Sequence, residues 1–284
     1  MTTHIAQATG QDFQGSSRRS VGGGCINQGY AFGDDQSTYF VKLNQASGLA
    51  MFEAEALGLK QMYATATIRV PQPICWGVVA NSAYLVLEWL ELGRGNGQAW
   101  ETMGQQLAAL HQVANPVPGF GWDRNNTIGS TPQINPWTRD WAEFFAQHRI
   151  GYQLQLARRR GGHFPKQTVL LAAIPELLAG YHPHPSLVHG DLWSGNAAVT
   201  QAGEPVIFDP ALYVGDREVD LAMTELFGGF PPEFYRGYNA VFPLDPGYPQ
   251  RKTLYNLYHI LNHFNLFGGG YESQANRMIE QILA

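Results

Sequence analysis

The sequence predicts an α+β protein in two lobes: a small antiparallel sheet carrying one helix, then a larger and mainly helical part. Three observations predict it. Glycine-punctuated apolar runs of strand length crowd into the first 90 residues, apolar residues return every three or four positions from Ala99 onward, and the glycine-rich GRGNG at 93–97 separates the two. The division is therefore expected at 1–90 and 91–284. With 284 residues and 44% hydrophobic content the chain buries a substantial core without staples. Eighteen Lys+Arg against 23 Asp+Glu give a net charge of −5, so no global field recruits nucleic acid or an anionic membrane, and any phosphate site must be local. Cys25 and Cys75 form neither a metal cluster nor a disulfide framework. The N-terminus lacks a basic segment leading into an apolar one, and no run of about 18 apolar residues follows, so the expectation is a soluble, cytoplasmic protein.

The elements follow in order. RRSV (18–21), YAF (30–32) and TYFVKL (38–43) read as a meander of strands, with GDDQS (33–37) as a turn. Ser47–Met62 places Leu49, Phe52, Ala56 and Leu59 at helical spacing. ICWGVVA (74–80) and AYLVLEWL (83–90) are strands joined at Asn81-Ser82, giving β, β, β, α, β, β. Beyond the boundary, AWETMGQQLAALHQV (99–113) is a helix, 115–135 a long polar loop, and 136–159 and 165–181 helical. SLVHGD (186–191) and PVIFDP (205–210) are short strand-like pieces, and 217–284 is mostly helical.

The chemistry concentrates in LVHGDLWSGN (187–196), followed thirteen positions after Asn196 by Asp209 in VIFDP. This is the spacing of a kinase catalytic loop, H-x-D-L-x-x-x-N, with a hairpin returning an aspartate. Phosphoryl transfer needs one carboxylate to take the acceptor's hydroxyl proton and oxygen ligands to hold magnesium against the phosphates. Asp191 suits the first role; Asn196 and Asp209, at the same end of an antiparallel pair, suit the second. Taken singly, each has a bland role, as turn former or strand-end residue. His189 is expected to organise the loop backbone, because the spacing gives the base to Asp191.

The first lobe supplies an ATP site. Lys42 ends TYFVKL where its ammonium could reach phosphates, and Glu53 or, preferably, Glu55 on the next helix would pair with it. Gly22, Gly23 and Gly24 let backbone amides approach phosphates, although GGGCINQG lacks the third glycine of G-x-G-x-x-G. Cys25 within that stretch is either a tolerated small residue or a redox-sensitive thiol joining two chains. By order along the chain, the backbone of Glu88 and Leu90 would meet adenine. Trp193, Trp122 and the polar loop from Asn125 to Gln133 are candidates for acceptor recognition, or simply fill space, and Asp216 is a further acceptor candidate. Asp220 would cap a helix or hydrogen-bond the catalytic loop.

HGDLWSGN, YVGDREVDLAMTELFGGF, GGGCINQGY and GWDRNNTIGSTPQINPWTRDWAEFF together resemble the fructosamine (ketosamine) kinases, within the aminoglycoside-phosphotransferase-like group of protein-kinase-like folds. The resemblance runs over nearly the whole chain. It implies ATP- and Mg2+-dependent phosphorylation of the sugar part of ketoamines, fructosamines or ribulosamines, at the C3 hydroxyl, which makes the adduct unstable and regenerates the amine. Carried onto this chain, Asp191 is the base, Asn196 and Asp209 hold the metal, Lys42 binds phosphate and Glu55 pairs with it. The partners so implied are free ketoamines or glycated lysines on proteins; the charge balance argues against nucleic acid and membrane, and Cys25 leaves the state a monomer or a thiol-linked homodimer. Rival readings are an aminoglycoside or other small-alcohol phosphotransferase and a nucleotide-binding regulator without turnover.

Overall fold

The computed structural model describes residues 1–22 and 26–284, so Gly23, Gly24 and Cys25 lie outside the described residues. A short helix precedes everything the sequence pattern revealed: α1 (Thr2–Thr9), closed by Gly10 in the left-handed conformation. Its Ile5 is buried with Phe13, Val41, Cys75, Tyr84 and Val86, and His4 Nδ1 lies 2.8 Å from the Tyr84 hydroxyl. One large apolar residue in a polar octapeptide gives no readable period; the sheet beneath stabilises the helix.

The sheet then forms in the expected order: β1 (Ser17–Val21), β2 (Gln28–Gly33), β3 (Thr38–Gln45), α2 (Leu49–Ala64), β4 (Pro73–Val79) and β5 (Ser82–Glu88). In space the strands run β1-β2-β3-β5-β4, each neighbour antiparallel. The β4–β5 turn falls on Ala80-Asn81 instead of Asn81-Ser82, because Ser82 already pairs with both Val79 and Gln45; Ala80 takes φ 50° there.

The second part begins with α3 (Gly97–His111), whose N-terminus is capped by Asn96 Oδ1 accepting the Ala99 N–H. The long polar segment expected to be a loop instead folds at its centre into a hairpin, β6 (Asn126–Ile128) and β7 (Thr131–Gln133). The helix expected from residue 136 starts later, as α4 (Trp141–Phe144), widens into a π-helical segment (Phe145–Gly151) and continues as α5 (Tyr152–Arg159); α6 (Gln167–Leu177) follows. Next come β8 (Pro185–Val188), β9 (Ala197–Val199), β10 (Pro205–Ile207) and β11 (Tyr213–Asp216). β9 pairs with β10 as the motif required, and β8 pairs with β11, a strand the sequence pattern did not reveal. Four helices finish the chain: α7 (Glu218–Leu226), α8 (Pro232–Val241), α9 (Tyr248–Phe267) and α10 (Tyr271–Ile282).

Two glycines decide how α3 and α8 cross. A Cβ on Gly104 would stand 2.0 Å from the Phe234 carbonyl oxygen, and one on Gly237 2.0 Å from that of Glu101, so the backbones touch directly. That approach brings His111 on α3 to 2.8 Å from the Tyr238 hydroxyl on α8. One apolar cluster runs from α2 and β5 through α3 to α9. α2 meets the rest of the chain at Gly58, where a Cβ would lie 3.3 Å from Leu212. Among the described residues no helix is long and apolar enough to cross a membrane.

Candidate active site

β8 delivers the chain into His189-Gly190-Asp191, and the loop is held by side chains on its own hairpin and on α7. Gly190 has φ 81°, and a Cβ there would meet the Ala211 carbonyl oxygen at 2.3 Å, so only glycine fits. The buried Asp220 carboxylate, in the first turn of α7, accepts the N–H of His189 at 2.7 Å and of Gly190 at 2.8 Å, and faces His111 Nε2 at 3.1 Å. Burial pushes the Asp220 carboxyl up, but the His111 and loop hydrogen bonds outweigh it and hold it below the ordinary range. Of the two roles weighed for Asp220 this is the second; it lies inside the helix, not at its cap. Buried His189 donates from Nε2 to the Phe208 carbonyl at 2.9 Å and accepts the Asp191 N–H on Nδ1 at 3.2 Å. Burial lowers its pKa, so it is a neutral spacer between loop and hairpin.

Asp191 projects from this frame. Burial, and then the neighbouring Asp209 and Asp220 carboxylates, raise its carboxyl to about 7, while the Asn196 amide opposes the rise. Asn196 Nδ2 donates to the Asp191 carbonyl at 2.9 Å and reaches its Oδ2 at 3.4 Å. With its nitrogen turned back to the loop, the amide oxygen is left for another ligand. Asn196 precedes β9, Asp209 follows β10, and the Phe208 N–H donates to the Asn196 carbonyl at 3.0 Å, so the hairpin brings the two residues to one end.

The first lobe meets this end through Lys42. Its ammonium lies 2.6 Å from Glu55 Oε1 and 2.5 Å from Asp209 Oδ1, joining β3, α2 and the segment after β10 across 167 positions. Burial alone would depress the lysine, but the two carboxylates win and its pKa is raised, so it stays charged. Glu53 instead faces Arg124 at 3.5 Å on the surface. Asp209 takes φ 60°, a left-handed conformation unfavourable for a residue with a Cβ, and its side chain is 42% exposed.

Other expected residues fall in different places. Gly22 follows β1 with open space where a Cβ would be. The Glu88 N–H donates to the Gln72 carbonyl at 2.8 Å, and its carboxylate pairs with Arg69. The amide expected to meet adenine is therefore engaged, because β5 is still pairing at that point. Among the described residues no backbone partner is found for Leu90. Trp193 is 36% exposed beside the loop, its ring edge-on to Phe227 at 6.5 Å, and Phe227 lies 4.8 Å from His263.

Trp122, Asp216 and two residues of the polar loop, Asn126 and Gln133, are buried and bonded to groups of the protein itself. Trp122 is buried and donates to Gln61 Oε1 at 2.9 Å. Asp216 is fully buried, accepting from Tyr255 at 2.5 Å, from Tyr181 at 3.2 Å and from the Glu218 N–H at 3.0 Å. Asn126 and Gln133 are likewise buried, bonded to the Leu212 and Ala211 carbonyls. His111 and Tyr238 support the loop through Asp220 without having been singled out; a histidine ending a helix carries no signal until Asp220 is placed beside it.

The residues fit a hard cation. An amide oxygen and a half-open carboxylate are the oxygen donors magnesium takes when phosphates complete its shell. Among the described residues no group of three or more His, Cys, Asp and Glu could hold a metal alone.

Residues 1–284 match the family described as fructosamine kinase. A probable ketoamine kinase from Synechocystis sp. is 64% identical over 98% of this chain and 94% of its own length. A chloroplastic protein-ribulosamine 3-kinase from Oryza sativa subsp. japonica is 46% identical over 93% of this chain and 78% of its own. A crystal structure from Haemophilus somnus, provisionally named a fructosamine-3-kinase, superposes with TM-score 0.94 at 32% identity, covering 100% of this chain and 96% of that one. A thermostable mutant of aminoglycoside phosphotransferase APH(4)-Ia, in ternary complex with AMP-PNP and hygromycin B, superposes with TM-score 0.69 at 15% identity, covering 100% of this chain and 97% of that one. That likeness shows the fold: a two-lobe α+β, protein-kinase-like architecture.

Proposed function

The chain belongs to the fructosamine kinase family, and on that premise we propose that it transfers the γ-phosphoryl group of ATP to the C3 hydroxyl of a ketoamine such as a fructosamine or ribulosamine. The observation that carries the reading is the junction at Lys42, where an ammonium from the sheet lies within 2.6 Å of both Glu55 and Asp209 while Asp191 stands beside Asn196. A cation bridging two lobes next to a raised carboxylate is what phosphoryl transfer asks for: positive charge for the phosphates and a base for the acceptor.

Each residue has one task in this reading. The Asp191 carboxylate accepts the proton of the attacking hydroxyl, oriented by the Asn196 amide and by a loop that Asp220 and His189 keep rigid. Asn196 and Asp209 would hold Mg2+, which supplies charge neutralisation on the phosphates. Lys42, released from Asp209, binds phosphate while Glu55 keeps it oriented. Gly22 admits the phosphates beneath the first loop, with Gly23 and Gly24 outside the described residues. The Leu90 N–H and the carbonyl of Glu88, not its amide, face adenine. Residues 1–90 form the nucleotide-binding lobe and 91–284 the lobe with catalytic loop and acceptor site. Trp193, with Phe227 behind it, offers an aromatic face to the acceptor. Transfer to C3 creates a phosphate leaving group next to the ketoamine, so the adduct breaks down and the amine is regenerated. We place the activity in the cytoplasm, although the rice relative is named chloroplastic.

ATP consumption measured across ribulose-, erythrulose- and fructose-derived amines, with phosphate located on the product, tests the reading. Turnover with phosphate on C3 supports it. Turnover on aminoglycosides or choline alone, or nucleotide binding without turnover, replaces it with one of the rivals.

A further inference from the structure

Behind the catalytic loop runs a chain of buried amides that the chemistry above does not use. Arg149, fully buried in the π-helical segment, donates from Nη1 to the Ile134 carbonyl at 2.8 Å and from Nη2 to Asn135 Oδ1 at 2.7 Å. Its guanidinium lies over the Tyr213 ring at 4.0 Å and the Phe144 ring at 4.5 Å. Among the described residues no carboxylate pairs with it. Asn135 Nδ2 donates to Asn126 Oδ1 at 2.8 Å, and Asn126 Nδ2 donates to the Leu212 carbonyl at 2.8 Å. Gln133 is the hub. Its Nε2 donates to Asn126 Oδ1 and to the Ala211 carbonyl, both at 2.9 Å, and its Oε1 accepts the Tyr258 hydroxyl at 2.7 Å. Both amide protons and the oxygen of Gln133 are thus satisfied, and turning the amide over would face oxygen against oxygen twice.

The receiving end of this chain is the segment that carries the site. Pro210, Ala211 and Leu212 have no regular structure, so the Ala211 and Leu212 carbonyls take side-chain donors in place of strand partners. It follows Asp209, whose left-handed conformation persists only if its surroundings impose it. The Ala211 carbonyl also abuts Gly190, where a Cβ would be 2.3 Å away. One carbonyl therefore lies between Gln133 and the residue before Asp191.

We propose that Gln133, with Asn126 beside it and Arg149 behind, is a positioning residue that sets Asp209 and the Gly190-Asp191 loop through the carbonyls of Ala211 and Leu212. The β6–β7 hairpin is then a strut for the catalytic centre, not an acceptor loop. The uncompensated Arg149 charge polarises the amide chain through Asn135 and Asn126 toward the Leu212 carbonyl. The inference rests on reading Asp209 as a metal ligand.

Gln133→Met keeps the side-chain length and removes both donors. Mn2+ affinity is read by electron paramagnetic resonance with ADP present, metal-free ADP affinity by calorimetry, and kcat and KM on the ketoamine substrate. The expected result is a fall of about 10–100-fold in Mn2+ affinity and kcat, with metal-free ADP affinity and acceptor KM nearly unchanged. A folded Gln133→Met protein with wild-type Mn2+ affinity and kcat overturns the inference. Should that variant not fold by circular dichroism, Asn126→Ser, which shortens the donor to Leu212, decides by the same readings. Asp209→Ala separates the two failures: if it binds Mn2+ normally the metal reading falls, and if it loses Mn2+ while Gln133→Met does not, only the positioning role falls.

Discussion

As the proposed base, Asp191 meets two demands: the carboxylate must be ionised to take a proton, and it must be basic enough to want one. Burial and the adjacent Asp209 charge supply the basicity by raising its carboxyl to about 7. Because that pKa is raised, the base is lost as pH falls, and kcat/KM should drop about tenfold per unit below roughly pH 7. A profile flat down to pH 5.5 would remove Asp191 from the role. Asp191→Asn should lower kcat by about 10²–10⁴ and leave ADP binding by calorimetry close to wild type. Asp216 shows the same direction of shift without any contact to the site. Burial, and then the Glu218 charge, push it up to about 7. Its folded pKa lies above the unfolded value, so the native state holds a proton the unfolded chain releases; its contribution is present at low pH and lost as pH rises through 7. Thermal melts at pH 5 and pH 8 should show Asp216→Asn gaining on wild type at the higher pH, and parallel melting at both would contradict this.

Elements matter here chiefly as carriers of backbone to within touching distance. α3 and α8 cross at Gly104 and Gly237, and that crossing seats His111 between Tyr238 and Asp220, whose carboxylate grips the catalytic loop. Gly104→Ala must push the helices apart, since its Cβ would overlap the Phe234 carbonyl. Overpacking of this kind costs about 1–3 kcal/mol or more, and it should lower the melting temperature and, by loosening His111 on Asp220, kcat as well. A variant as stable and as active as wild type would show that the helices tolerate wider spacing. The β9–β10 hairpin does the complementary work, bringing Asn196 and Asp209, thirteen positions apart and the proposed metal ligands, to one end.

Across the whole molecule Lys42 is the joint. It bridges Glu55 of the first lobe and Asp209 of the second, and in the proposed function nucleotide binding takes it from Asp209. Nucleotide at one hundred times its Kd should stabilise wild type by about 2.7 kcal/mol, raising Tm by roughly 5 °C. Lys42→Met should melt lower than wild type without ligand, because it strands the largely covered Glu55 carboxylate, and should gain little from Mg-ATP. A full ligand-induced shift in that variant would take the phosphate role from Lys42. By itself the sequence determined the succession of strands and helix along the first 90 residues, and the spacing that names Asp191, Asn196 and Asp209, because strand periodicity and a catalytic loop are local patterns. It also carried the preference for Glu55 over Glu53, which the 2.6 Å contact with Lys42 matches. It did not reveal α1, β11 or the β6–β7 hairpin, whose few apolar residues become buried only against partners far along the chain. Only the tertiary structure decided that Trp122, Asp216, Asn126 and Gln133 face inward, and that Gln133 reaches the carbonyl beside Gly190. Polar residues in a loop look alike in sequence; which become buried donors depends on the backbone groups left unpaired by the fold.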